Sequence, residues 1–462
     1  MNWKTARIEN GGENMNQRWT LHVENFARIE SADIEIAPLM CFIGDNNSGK
    51  SYMMSLLWGI IANGHMFYYD RNQSCVDSPE YAKCREWLLT NIGKKVAITT
   101  AIAQSYIDWF NKILDSNKTQ LIKNIFNNEM PIDKIEIRNF SIAKNVTVTL
   151  NDKTIQKGYG YRPISPTEFE IDIYRGSRET LFICNFLIVW HLLMLSLTRI
   201  AESLGYEETP IYLPASRTGL LLVHRLIASR ATRNMLSMNS ADDFQEKLTA
   251  PYVQFLELLI KLQNTAEIKN EQKLTLIRFL QDEIIHGNIT VKEEGKAIRY
   301  SPVNSDTELP MSITSSVVTE IASLLLLLTT RTPLRLVVIE EPEAHLHPEL
   351  QKKIAQLLIR FVHSGIPIWI TTHSDTILQH FNNMIKLRNR SEEERKELLK
   401  EFGYTEEDLL SPEEINLYQF EREDKHTTIQ KLKSGKYGFV VPSFNKAIDR
   451  LMSEIFAFQE DD

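Results

Sequence analysis

Apolar positions along the chain switch between a period of two and a period near 3.6, and the switches mark out its elements. From Leu21 to Gly44, LHVENFARIESADIEIAPLMCFIG alternates short apolar and polar stretches, as short strands do. It closes on Met40-Cys41-Phe42-Ile43, an apolar run suited to a strand covered on both faces. YMMSLLWGII then reads as a packed helix, and residues 77–128 as largely helical, with IAQSYIDWFNKIL amphipathic. DKIEIRNFSI, NVTVTL and EFEIDIYR, separated by the turn residues of NDKT and GYGYRP, predict a small β-rich part from Ile132 to Arg175. The run Leu181 to Leu197, LFICNFLIVWHLLMLSL, approaches the length of a membrane span. Asn185 and His191 interrupt it and the flanking Arg178 and Arg199 form no anchor pattern, so a buried helix is expected. Ile211-Tyr212-Leu213-Pro214, LRLVVIE and IPIWIT are further buried strands, while Asp242–Gln263 and Glu271–Ile285 predict two helices long enough only for a short hairpin arm. Beyond them come the charged helical stretch SEEERKELLKEFGYTEEDLLSPEE, the strands INLYQFER and HTTIQKL, and a last helix from Ser443 to Phe458.

This order predicts an α/β chain in five stretches. Residues 1–17 form a loose polar extension, and 18–235 carry the first lobe with its β-rich and helical insert. Residues 236–300 form the arm and short strands, 301–390 the second part of the lobe, and 391–462 a tail packed on it. The 462 residues are 43% hydrophobic, enough for two or three domains. A net charge of −8 and a pI near 5.9 argue against a dedicated nucleic-acid coat, which is usually basic. Cys41, Cys75, Cys84 and Cys184 show no C-x-x-C spacing, and MNWKTARIENGGENMNQ has no apolar leader segment, so a reducing, cytoplasmic setting is expected.

Candidate chemistry begins at FIGDNNSGKS. Gly44 and Gly49 frame a turn through Asn46, Asn47 and Ser48 whose backbone N–H groups can point inward. Lys50 supplies a mobile charge, and Ser51 offers a hydroxyl at a helix N-terminus. The spacing G-x-x-x-x-G-K-S is that of a phosphate-binding loop, although a Gly-Asp-Asn turn between core elements matches it by chance now and then. Far downstream, LRLVVIEEPEAHLHP ends an apolar strand in Glu340 and Glu341, where one carboxylate would face Mg²⁺ and another the attacking water. The alternative is a solvated turn. IPIWIT ends in Thr372-His373-Ser374; a lone histidine at a strand end is usually structural, but here it is third in an ordered series.

Taken together, the loop from Gly44 to Ser51, EEPEAHLHP and Thr372-His373-Ser374 resemble the ABC-type ATPase heads of the SMC, RecF and OLD group. That resemblance implies a P-loop head with a mixed sheet, an antiparallel edge, flanking helices and a short helical insertion, using ATP and Mg²⁺. It makes Ser51 and Glu340 the Mg²⁺-side groups, Glu341 the residue polarising water, and His373 the γ-phosphate switch. It also makes Glu343 to His347 a D-loop crossing a dimer interface, with Glu343 and His345 as contacts. The family's signature helix is matched by Thr314-Ser315-Ser316-Val317-Val318-Thr319-Glu320, so Ser315 would touch the γ-phosphate held by a second head. Val317 replaces a glycine there, which loosens or reshapes the contact. The same stretch reads equally as a capped core helix, Ser at the N-cap and Glu near the first turn. Pro214-Ala215-Ser216-Arg217 resembles the P-A-x-R strand end of the group, making Arg217 a candidate for phosphate or a neighbouring subunit; otherwise it is a helix-opening arginine paired with an acid. Arg225, Arg230 and Arg233 follow without an acid among them, either as a solvated face or as a polyanion or effector surface.

No long heptad array separates these motifs, unlike an SMC chromosome organiser, and no D-x-D ends a strand in the tail, unlike an OLD nuclease. The chain therefore resembles an ATPase subunit that acts through a separate effector, such as the ATPase component of the PARIS anti-phage defence system with its TOPRIM nuclease partner. A homo-oligomer, at least a head-to-head dimer, and no membrane association are implied. The alternative is a RecF-like clamp that grips DNA directly.

Overall fold

The computed structural model describes residues 18–63, 73–142, 146–153, 159–165, 167–174, 178–194, 210–236, 248–262, 270–292, 297–329, 334–435, 438–441 and 452–458, with side chains of 73, 74, 159, 178 and 228–236 left aside. The expected extension 1–17, the start of the arm helix at Asp242, the side chains of Arg230 and Arg233, and most of the helix from Ser443 lie outside them.

Three strands open the described chain, β1 (Arg18–Phe26), β2 (Ile29–Glu35) and β3 (Leu39–Gly44), and α1 (Lys50–Ala62) leaves β3 through the loop 45–49. Two helices follow, α2 (Pro79–Asn91) and α3 (Thr100–Phe126), with Ser78 and Thr99 accepting from the Tyr81 and Ile102 amides as N-caps. β4 (Lys95–Ala97) lies between them, and β5 (Lys134–Ser141) comes next. β6 (Thr147–Lys153), β7 (Tyr159–Ser165) and β8 (Glu168–Tyr174) form with β4 a separate sheet of order β4-β6-β8-β7. The expected β-rich block is therefore divided. Ile135 and Ile137 of β5 sit opposite Val23 and Leu21 of β1, and this apolar match draws β5 to the edge of the main sheet. α4 (Arg178–Met194) is buried as expected; Asn185 accepts from the Tyr106 hydroxyl at 2.8 Å and donates to the Leu181 carbonyl. No described helix is long and apolar enough to cross a membrane.

The second half begins with β9 (Ile211–Leu213), α5 (Arg217–Leu236), α6 (Ala250–Lys261) and α7 (Glu271–Leu280), the last continued by a wider turn over Gln281–Ile285. A three-stranded sheet, β10 (Gly287–Val291), β11 (Ile298–Pro302) and β12 (Leu309–Pro310), precedes α8 (Ser316–Leu328). There follow β13 (Val337–Glu340), α9 (Pro348–His363), β14 (Ile368–Thr371), α10 (Asp375–Arg388), α11 (Glu392–Phe402), β15 (Ile415–Arg422) and β16 (Thr427–Leu432).

The main sheet runs β5-β1-β2-β16-β15-β3-β14-β13-β9. From β15 to β9 every pairing is parallel, whereas β5, β1 and β2 form an antiparallel edge, the mixed α/β architecture expected. One difference is large: β15 and β16 do not pack on the sheet as a tail but lie within it, β15 beside β3. The parallel strands are buried on both faces. Met40 and Phe42 of β3 join the core under α1 and α4, while Leu39, Cys41 and Ile43 join the core under α8, α9 and α10. This is why the strands read as unbroken apolar runs.

Candidate functional site

Parallel order brings the carboxyl ends of β3, β13 and β14 side by side, so the three motifs share one edge of the sheet. The loop after β3 bends through positive φ at Gly44 (132°), Asn47 (60°) and Gly49 (92°). At Gly44 the demand is double, because a Cβ there would meet the Phe420 carbonyl oxygen of β15 at 2.0 Å. No backbone N–H from Asp45 to Gly49 donates to another group of the described protein. Such a nest of unsatisfied donors at a helix N-terminus fits the oxygens of a polyphosphate. Lys50 is buried, and its Nζ donates to the carbonyls of Gly44 (3.0 Å) and Asp45 (2.6 Å) and approaches Ser48 Oγ (3.4 Å). Burial pushes its ammonium down to about 8, against the opposing pull of Glu341, Asp45, Glu343 and Glu340. Asn46 and Asn47 are exposed, Ser48 is buried, and Ser51 is exposed in the first turn of α1.

Glu340 and Glu341 part company at the end of β13. Glu340 is buried; its two carboxylate oxygens accept from the Tyr212 hydroxyl (2.8 Å) and the Ala215 amide (3.0 Å). Tyr212 in turn receives Ser55 Oγ of α1. Glu341 is half-buried with φ 45°, its N–H bonded to the Thr371 carbonyl at 2.8 Å. Its charge is the leading one acting on Lys50. The turn continues through Ala344 N to Glu341 O and Leu346 N to Glu343 O, with His345 also left-handed at φ 60°. α9 then starts at Pro348, capped by His347.

Two residues expected at an interface are held inside. Glu343 turns inward, and its Oε1 accepts from the His373 amide at 2.7 Å. Burial raises its carboxyl, with the His373 N–H and Thr372 pulling the other way. Arg217 is 1% exposed and so presents nothing at the surface. It ion-pairs with Glu320 of α8, while Nη1 donates to the Glu340 carbonyl and Nη2 to the Glu341 carbonyl at 3.0 Å. The geometry is that of the helix-opening arginine paired with an acid. Glu320 accordingly does not cap its own helix; the cap is Ser315, exposed, whose Oγ accepts from the Val318 amide at 3.3 Å. His345 remains exposed. Burial lowers His373 below its usual value and Lys50 lowers it further, against the opposing pull of Glu341 and Asp45.

Tyr212, Glu320 and Thr218, whose hydroxyl donates to Glu320, were not among the sequence candidates. The strand-helix boundary at Pro214-Ala215-Ser216-Arg217 and the signature match ending in Glu320 were the signals for this region.

A family model described as an AAA ATPase domain matches residues 20–130 and 227–378, more than half of the chain. No curated protein matches. Solved structures with partial likeness include an Smc head bound to the C-winged helix domain of ScpA, at 11% identity over 90% of this chain and 97% of that one, with a TM-score of 0.36. The SMC head domain from Thermotoga maritima is 11% identical over 90% and 99% of the two chains, with a TM-score of 0.34. The ADP conformation of MJ1267, an ATP-binding cassette of an ABC transporter, is 10% identical over 96% and 99%, with a TM-score of 0.31.

Proposed function

We propose, for a chain that belongs to the AAA ATPase domain family, that residues 44–51 hold the phosphates of ATP and that Glu341 orients the attacking water, making the protein an ATP phosphohydrolase. One observation carries this reading: the unsatisfied amides of the loop after β3 and the carboxylate after β13 stand at one sheet edge, with Lys50 under the influence of Glu341. Ser51 and Glu340 offer the hard oxygen donors that would hold Mg²⁺, which would supply charge neutralisation at the phosphates. Lys50 exchanges the carbonyls of Gly44 and Asp45 for phosphate oxygens. The Glu341 carboxylate accepts a hydrogen bond from water, and His373 meets the γ-side. Ser315, at the exposed N-terminus of α8, meets the nucleotide of a second copy, with His345 at the same seam.

In the finer reading, this ATP-driven pairing controls a separate effector, a TOPRIM-type nuclease, in bacterial anti-phage defence; the support is the resemblance of EEPEAHLHP. Glu341→Gln tests the core of it. Turnover should fall on the order of 100-fold while Mg·ATP affinity by calorimetry stays within about twofold, and ATP should trap a larger assembly in light scattering. Turnover at the parent rate would remove Glu341 from its role. Steeply salt-dependent duplex binding by the chain alone would move the reading to a DNA clamp.

A further inference from the structure

We infer that Arg217 and Glu320 are positioning residues for Glu341, a buried ion pair that ties α8 to the backbone of the strand tip; the inference rests on the role proposed above for Glu341. Three elements meet at one guanidinium. Arg217 opens α5, Glu320 projects from α8, and the accepting carbonyls are those of Glu340 and Glu341 at the end of β13. Thr218 fixes the other carboxylate oxygen of Glu320. Both charged groups are 1% exposed, so neither is screened by water and neither has water as an alternative partner.

The need for such a device is visible in the backbone. Glu341 has φ 45°, a conformation that a residue with a Cβ adopts at a cost and keeps only where its surroundings over-determine it. Its N–H is held by the Thr371 carbonyl and its C=O by Arg217 together with the Ala344 amide. The Arg217 bond therefore sets one side of the peptide that aims the Glu341 carboxylate. A planar fork directs these bonds from two separate Nη atoms in a fixed geometry, which the single point charge of a lysine does not reproduce. Because Glu320 lies in the second turn of the helix that Ser315 caps, the couple also joins the strand tip to the end of α8 proposed to meet a second nucleotide. Arg217 lies outside the two matched family segments, and Glu320 lies within one.

The test is a double replacement, Arg217→Met with Glu320→Met, which removes both charges and leaves neither buried alone. Mg·ATP affinity should stay within about threefold, since Lys50 and Ser51 are untouched, while kcat falls on the order of 10- to 100-fold. Placed on Glu341→Gln, the same double replacement should lower kcat by less than about twofold further, because groups that act as a unit are non-additive. Arg217→Lys should recover only part of the rate. If the apolar pair does not fold, Thr218→Val carries the test, with about a threefold fall in kcat that disappears on Glu341→Gln. An unchanged kcat in a folded double variant, or a full multiplicative loss on Glu341→Gln, overturns the inference. If Glu341→Gln itself turns over at the parent rate, the proposed role of Glu341 fails instead.

Discussion

Two turns at the same sheet edge reach positive φ by opposite means. The loop after β3 uses Gly44 and Gly49, with Asn47 as its one positive-φ residue carrying a side chain, and its amides from Asp45 to Gly49 donate to no other group among the described residues. The turn after β13 places Glu341 and His345 in the left-handed region and is tied to its surroundings: Glu341 N to Thr371, its carbonyl to Arg217 and Ala344, and Glu343 to the His373 amide. Where backbone is the binding group, glycine supplies the conformation at little enthalpic cost. Where a side chain is the working group, glycine is excluded, and tertiary bonds must hold the strained shape.

The largest expected effect breaks the second turn at its anchor. Arg217→Ala leaves Glu320 buried and unpaired and frees two strand-tip carbonyls, so stability should drop by about 3–5 kcal/mol. A urea midpoint unchanged from the parent would show that the ion pair does not form in solution, and the contrast between the two turns would lose its basis.

That anchor also marks how far the sequence could be read. The loop after β3 is a local code: spacing, glycines, lysine and serine all lie within one short run, so Gly44 to Ser51 was legible at once. The strands ending in Glu340 and Thr372 were legible for a similar reason, being apolar runs that stop at charged or polar residues. The supports were not, because Arg217, Glu320 and Tyr212 come from three separate elements that only the fold brings to Glu340 and Glu341. Glu320 in particular looks like a helix-start acid until α8 is turned against α5. The tail misled through its alternation. Asn416 and Gln419 interrupt the apolar residues of INLYQFER as an outer strand would, yet β15 is interior. Asn416 donates to the Glu35 carbonyl at the end of β2 at 2.8 Å, so a polar residue of an interior strand is satisfied by the strand beyond β16. The Phe420 carbonyl beside Gly44 shows the consequence, a glycine in the loop after β3 required partly by the interior strand β15.

A smaller effect sharpens the first turn. Triphosphate favours the charged form of Lys50, whose ammonium burial has pushed down to about 8. Below that pH the lysine is already charged and affinity should be flat. Above it each binding event must take up a proton, so Kd should rise about tenfold per pH unit. Calorimetry of Mg·ATP binding between pH 7 and 9.5 in buffers of different ionisation enthalpy reads both the slope and the proton uptake. A flat Kd across that range, or proton release on binding, would show that Lys50 is not the group the phosphates meet.

The smallest effect isolates the backbone from the side chain. His345→Ala and His345→Gly both delete an exposed imidazole, so any contact it makes is lost equally and only the Cβ differs between them. At φ 60° that Cβ crowds the following carbonyl, and the glycine variant should be more stable than the alanine variant by about 1 kcal/mol, after allowing for the greater freedom of glycine in the unfolded chain. Gly49→Ala should cost a similar amount with the opposite sense. Its nearest neighbour, Ile29, lies 3.6 Å from where the methyl would stand, so conformation and not collision sets the loss. Equal stability of the two His345 variants would mean that the turn after β13 relaxes out of the left-handed region in solution. Its tertiary bonds would then not be holding strain, and the two turns would differ in sequence but not in kind.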